Sequence, residues 1–361
     1  MIRALAHPLS ITALIAFCIA FLMTVFPAET LQSSLRGLAI WWEVLFPALF
    51  PFFVISELLL GFGIVHFFGK LLDPFMKPLF RLPGIGGFIV TMGYISGYPV
   101  GARLTAQLWE QRLITRVEGE RLVAFTTTSD PIFLIGAVSV GFFHNAEVAP
   151  LLAAAHYGGA LIIGFLMRYH LPAEDREAGR THKMAPPSDK PGAAIRRSRF
   201  SLAVRAMHEA RLLDGRSLGK LMQDAIQSAL RLMIVVGGLV VFFSVVMELL
   251  THAGVIRLLS EAMRLLFGLI GMPPTLADAG IFGVFEVTLG SRAAGIDGSG
   301  LIHQVAIAAW VLSWGGLSVH AQVASLLSRT TMRYKPLLIA RLVHGAIAMA
   351  LVYLLWGWLG P

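Results

Sequence analysis

Cysteine occurs once in 361 residues, at Cys18. No intramolecular disulfide can therefore form, and thiol content carries no information about compartment. Charge is nearly as scarce, at 14% of residues against 56% hydrophobic, with a mean hydropathy of +0.74. A soluble domain carries roughly a quarter charged residues, so that class is excluded. Also lacking are a phosphate-binding glycine loop ahead of a Lys-Ser/Thr pair, a zinc-type Cys/His spacing and any arguable Ser/His/Asp arrangement. Neither an enzyme nor a resident metal or cofactor is expected.

What the chain has in abundance is apolar runs that reach or approach the roughly 20 residues needed to cross a bilayer. The expected class is an all-α polytopic membrane protein. The first run, Leu9 to Phe26, follows Arg3 and reads as a retained span, because "PAETLQSSLRG" after it offers no small-x-small cleavage site.

The formal net charge is +8, and between residues 171 and 220 eleven Lys/Arg face six Asp/Glu. Basic residues collect in cytoplasmic loops, so this stretch is predicted to be a cytoplasmic loop. Its later part, "RRSRFSLAVRAMHEARLLDGRSLGKLM", has the spacing of an amphipathic helix on an anionic leaflet. The bilayer, not nucleic acid, is the expected partner of this positive charge. The same rule places "KLLDPFMKPLFR", "EQRLITRVEGER" and "RTTMRYK" inside, and "FHNAEV" and "AGIDGSG" outside. Arg36, Arg257, Arg264 and Arg292 are exceptions on the outer side.

The chain repeats itself. Glu57, Gly63 and Pro83 stand opposite Glu248, Gly254 and Pro274 at one constant spacing, and "AHYGGALIIGFLMRY" around His156 resembles "VHGAIAMALVYLLW" around His344. Each half reads as a span, a short amphipathic helix, a Gly-rich segment, a polar-interrupted segment and a final span. These fall at 40–62, 64–81, 84–112, 117–143 and 148–169, then at 226–250, 255–270, 276–296, 301–328 and 335–357. If each Gly-rich segment is a re-entrant hairpin, a half crosses three times and the second half is inverted. Inverted repeats with broken helices are the signature of transporters whose site lies near the midplane. Glu57 and Glu248, at equivalent span ends, read as interface or capping carboxylates.

Four polar stretches interrupt the apolar pattern, and such breaks survive only where protein or a wet cavity supplies hydrogen-bond partners. In "TTTSDP", Pro131 frees carbonyls near Thr127. Thr127, Ser129 and Asp130 could then ligate a coupling cation, Asp130 could carry a proton, or the whole could be a braced kink; Thr128 and Ser129 also face a candidate substrate. "SGYPVG" makes a hairpin tip from Ser96, Gly97 and Tyr98, in which Tyr98 either stacks on a planar ligand or serves only the turn. "EVTLGSRAAG" gathers Glu286, Thr288, Ser291 and Arg292; Arg292 either binds a carboxylate bidentately or neutralises Glu286. "SWGGLSVHAQ" offers Trp314 as a second stacking surface, with Ser318, His320 and Gln322 as polar contacts. An interior, satisfied histidine is the commoner role for a residue such as His320.

The stretches "SLRGLAIWWEVLFPALFPFFVISELLLGFGIVHFFG", "GERLVAFTTTSDPIFLIGAVSVGFFHN" and "GLSVHAQVASLL" closely resemble the YlbJ family of sporulation integral membrane proteins, across nearly the whole chain except the central loop. That family belongs with the nucleoside-recognition Gate domain proteins, and its element order is more distantly similar to concentrative nucleoside transporters. The resemblance implies an N-terminal span and connector over 1–37, Gate-type repeats over 38–170 and 223–361, and a basic loop with an amphipathic helix over 171–222. It implies movement of dipicolinic acid across the outer forespore membrane, with the N-terminus and central loop cytoplasmic. A planar aromatic dicarboxylate would suit Tyr98 or Trp314 for stacking and Arg292 or helix N-termini for its carboxylates. By the same resemblance, a coupling cation, Na+ or H+, would lie between residues 96–101 and 127–131. A nucleoside or other small-solute permease, and a non-transporting scaffold or signalling protein of spore development, stand as alternatives. A homo-oligomer is compatible with every one of these. The return arm after "GSRAAG" is shorter than a full re-entrant helix.

Overall fold

Proline and glycine decide where the helices start, bend and stop. The computed structural model describes residues 8–170, 199–296 and 298–361, and no strand occurs among them. The expectations for residues 1–7 and for 171–198 of the basic loop lie outside the described residues.

The first half opens with α1 (Pro8–Val25), whose apolar side chains are largely exposed. Next, α2 (Pro27–Gly61) is a single 35-residue rod. It starts on a proline and widens to a π-helix over Ile40–Leu45, just ahead of Pro47 and Pro51, whose missing amides leave carbonyls that the ordinary ladder cannot use. Gly63, at φ +77, turns the chain into α3 (Ile64–Phe75). The first hairpin is α4 (Gly86–Ser96) and α5 (Tyr98–Glu110), joined only by Gly97. A Thr115/Glu118 capping box starts α6 (Arg116–Thr126). After the break comes α7 (Phe133–Phe142), which is π-helical, then α8 (Ala149–Met167).

The amphipathic helix α9 (Arg199–Asp214) leads to α10 (Leu218–His252), again 35 residues long. Gly254, at φ +77, precedes α11 (Val255–Ile270). The second hairpin is α12 (Ala277–Phe285) and α13 (Val287–Ile296), meeting at Glu286; α14 (Leu301–Trp314) and α15 (Gly316–Leu327) are one span broken at Gly315; α16 (Tyr334–Leu359) closes the chain. Among the described residues, five stretches are long and apolar enough to cross a membrane: Pro27–Gly61, Ala146–Met167, Leu218–His252, Leu301–Leu327 and Tyr334–Leu359. The first span of each half outruns its expected bounds of 40–62 and 226–250, since helix continues into "AETLQSS" and "GKLMQDA" after the apolar pattern ends.

The two long rods lie side by side and antiparallel. Arg36 pairs with Glu248 at 2.5 Å, Trp41 donates to the Met233 carbonyl at 2.9 Å over Gly237, and Gly61 abuts Leu221. Equivalent helices running in opposite directions are what an inverted repeat requires. The α8/α16 pair behaves likewise, with His156 stacked on His344, and Ile163 and Met167 lining one groove with Ala340 and Pro336. Loops grouped by charge in the sequence do gather. Arg121 donates to the Arg81 and His170 carbonyls, and Glu120 holds both His170 and Arg333, at one end. At the other, Gly295 packs on Phe142, and His303 meets Tyr353.

The short return arm of the second hairpin does not prevent it from closing. A methyl group at Gly290 would come within 2.3 Å of the Gly283 Cα, so two glycines let the ten-residue arm α13 lie directly against α12. The amphipathic helix α9 does not stand alone on a leaflet surface: Phe200 meets Phe67 edge-on at 5.6 Å, and Gly63 lies against the Met207 carbonyl. It is packed on α3.

Candidate functional site

At the centre, each hairpin tip meets the break of a helix in its own half, and each meeting joins one carboxylate to one glycine. In the first half the tip is Gly97 and the break carries Asp130; a Cβ on Gly97 would lie 3.0 Å from Asp130 Oδ2. In the second half the roles are exchanged. Glu286 is the tip and Gly316 the break, and a Cβ there would lie 3.0 Å from the Glu286 backbone. Side chains on both partners would not fit.

Both carboxylates are buried and both cap a helix. Asp130 Oδ1 accepts from the Ile132 and Phe133 amides at 3.1 and 2.8 Å, at the start of the half-helix containing α7. Glu286 accepts from the Leu289 amide at 2.9 Å and from Thr288 Oγ1 at 3.2 Å, at the start of α13. The starts of α5 and α15 have no side-chain cap.

The hydroxyls of "TTTSDP" are turned inward to the backbone. Thr127 Oγ1 donates to the Val123 carbonyl at 2.7 Å, Thr128 Oγ1 to Gly93 at 3.4 Å and Ser129 Oγ to Asp130 at 3.3 Å. The Ser129 amide donates to His156 Nε2 at 3.0 Å, and His156 Nδ1 lies 2.9 Å from Ser313 Oγ.

Arg341, outside the four polar stretches, is 1% exposed in the middle of this arrangement. Its Nη1 donates to the Thr127 carbonyl at the end of α6 and to His344 Nδ1 at 3.1 Å; Nη2 and Nε reach the Leu312 and Trp314 carbonyls at the end of α14, at 3.4 and 3.5 Å. The available signal was a lone arginine inside a 26-residue apolar helix, since an intramembrane charge marks function by default.

Six of the sequence-selected residues line one central cavity of about 100 Å³: Ser96, Gly97, Tyr98, Asp130, Thr288 and Gln322. Tyr98 forms a wall held by its hydroxyl, which donates to the Leu312 carbonyl at 2.8 Å and so joins the first hairpin to the second broken helix. A second cavity of about 530 Å³ shares Phe53, Ser96, Pro99, Leu232 and Val235 with the first and adds Glu57, Arg103 and Arg231. Glu57 thus lines the second cavity, whereas Glu248 is an interface carboxylate bound to Arg36.

Thr127, Thr128, Ser129, Glu286, Ser291 and Ser318 are buried around the cavity without lining it. Two expectations need correction, those for Arg292 and Trp314, and of the two roles open to His320 the interior one is found. Arg292 is exposed, because α13 turns Ser291 inward and its neighbour out; it neither reaches the cavity nor pairs with Glu286. Trp314 is no stacking wall of the cavity: its Nε1 donates to the Val284 carbonyl at 3.1 Å and its ring lies 4.1 Å from His320. His320 in turn bonds the Tyr334 hydroxyl through Nδ1, an interior role away from the central space. Among the described residues no group of three His, Cys, Asp or Glu could hold a metal ion.

Comparison with known proteins agrees with this architecture. The Gate family, described as nucleoside recognition, matches residues 42–146, which cover the first hairpin and first broken helix. The structure of CNTnw in an inward-facing substrate-bound state superposes with a TM-score of 0.50 over 98% of this chain and 88% of that one; at 13% identity the likeness concerns the fold. The sporulation integral membrane protein YlbJ of Bacillus subtilis (strain 168) is 44% identical over 330 residues, covering 91% of this chain and 78% of that protein. The chain belongs to the YlbJ family of sporulation integral membrane proteins, built on a fold like that of CNTnw.

Proposed function

We propose that the protein carries a small planar aromatic dicarboxylate, dipicolinic acid, across the outer forespore membrane, with residues 38–170 and 223–361 as the two halves of the carrier. In this reading the N-terminus and the basic loop face the mother-cell cytoplasm. The observation that carries it is the set of helix starts around the central cavity. Residues from the beginnings of α5 and α13, with Asp130 and Phe133 of the first broken helix and Val319 and Gln322 further along α15, line one space. Two starts are already matched by Asp130 and Glu286, while those of α5 and α15 lack a side-chain cap. The uncapped start of α5, which lines the cavity, presents roughly half a positive charge, a place for one anionic group of the solute. Tyr98 supplies an anchored aromatic wall beside it.

A cavity of about 100 Å³ is small against the roughly 300–1,000 Å³ of ligand pockets. Loading therefore requires the tips to part, and the adjoining 530 Å³ space with Arg103 and Arg231 is the natural approach for an anion. The Gate match favours a second reading, a nucleoside permease. Purified protein in liposomes should take up labelled dipicolinate, with excess uridine or adenosine leaving the rate unchanged. Competition by nucleosides would favour the permease. Absence of uptake under every imposed ion gradient would leave a non-transporting scaffold as the better account.

A further inference from the structure

Two half-helices end at the same buried point, and their carbonyls are already taken. The last turn of an α-helix leaves carbonyls without intrahelical donors, and each C-terminus carries roughly half a negative charge. The ends of α6 and α14 together therefore present about one negative charge to the interior. Arg341 brings one positive charge to this point, through Thr127 on one helix and Leu312 and Trp314 on the other. None of its hydrogen-bond partners is a carboxylate among the described residues. The charge it balances is that of the two helix ends.

Oxygen atoms for a metal cation at this place are correspondingly few. Hard cations such as calcium and magnesium gather roughly six or more oxygens. Here the Thr127 carbonyl receives Arg341, the Ser129 carbonyl accepts from Tyr157 and Asp130 Oδ1 accepts from two amides, which leaves Asp130 Oδ2 and the lone pairs of the Thr127 and Ser129 hydroxyls, about half the oxygens required. The set expected from the sequence to hold a coupling ion does not fit one.

We infer that the cation joining the two broken helices is the chain's own Arg341 guanidinium, and that no metal cation binds at their crossing. The proposal goes beyond the carrier reading and does not depend on the solute. Where a mobile ion would come and go with each cycle, the charge here stays with α16 while the hairpin tips move.

The test is thermal unfolding of the full-length protein in detergent, in NaCl, LiCl, KCl and choline chloride at equal ionic strength. The midpoint is expected to be the same in all four for the parent. A saturable rise specific to Na+, Li+ or K+ would overturn the inference. Arg341→Gln is expected to lower the midpoint by about 10 °C or to prevent folding, since it leaves charged helix ends without a partner. Arg341→Lys keeps the charge and should recover at least half of the loss in midpoint or yield. A glutamine variant as stable as the parent, or a lysine variant no better than glutamine, would also overturn it. Because solute is absent, failure here is separate from failure of the transport reading.

Discussion

His344 donates its Nε2 hydrogen to the main-chain oxygen of His156, 2.8 Å away, and the two rings stack with centroids 5.2 Å apart. They are the pair that the internal repeat marks as equivalent, and they do different things. The Ser129 amide requires a lone pair on His156 Nε2, so its Nδ1 carries the hydrogen given to Ser313. Arg341 requires a lone pair on His344 Nδ1, which puts that hydrogen on Nε2. One chain of bonds thus ties the break in the first half to the end of α14 in the second.

His156→Ala should destabilise the protein by on the order of 3 kcal/mol, because a buried amide and a buried hydroxyl each lose a partner at about 1–3 kcal/mol. Gly159→Ala acts on the same pair from the other side, since its Cβ would lie 2.9 Å from the His344 ring. Thermal unfolding in detergent checks both, and an unchanged midpoint for His156→Ala would refute the bond chain.

Asp130→Asn separates bracing from ion or proton traffic. An asparagine oxygen can still accept from the Ile132 and Phe133 amides, as Asn and Asp cap helices about equally, whereas Asp130→Ala should cost about 1 kcal/mol. Uptake close to the parent rate is expected for asparagine. Loss of transport with an intact fold would mean that the negative charge itself is used.

Gly97→Ala should be worse than Gly254→Ala, although both glycines have φ near +80. Gly97 lies at φ 84, ψ −176, a region that costs a side-chain-bearing residue about 1–3 kcal/mol, and its new Cβ would also press on Asp130. Around Gly254 nothing lies within 4 Å. Equal unfolding midpoints would show that the tip does not need the close approach.

Arg292→Ala should alter stability by no more than about 0.5 kcal/mol, as exposed sites usually do, and leave uptake unchanged. A strong uptake defect in a folded variant would restore Arg292 as a ligand group.

Much of the architecture was readable because the polar breaks are rare in an apolar chain. "SGYPVG", "TTTSDP" and "SWGG" each fall where a hairpin or helix is interrupted, and the outer bounds of α11, of the hairpin α12–α13 and of the broken span α14–α15 lie within a residue or two of 255–270, 276–296 and 301–328. The site was harder. Clustering along the sequence suggested that Arg292 would join Glu286, but successive helical residues point about 100° apart, and of Ser291 and Arg292 the serine is the one that turns inward. Trp314 and Arg341 depend on which of several neighbouring helices each faces, and that is set by packing between halves.

The exchange of glycine and carboxylate between the two tips makes the halves unequal partners. In the carrier reading, swapping their conformations would put Asp130 and Glu286 in environments that neither now occupies, so inward- and outward-facing forms would differ in free energy. An empty carrier then rests mostly toward one side, and half-saturation is reached at different solute concentrations on the two faces. Uptake measured separately in vesicles of the two orientations would reveal that inequality.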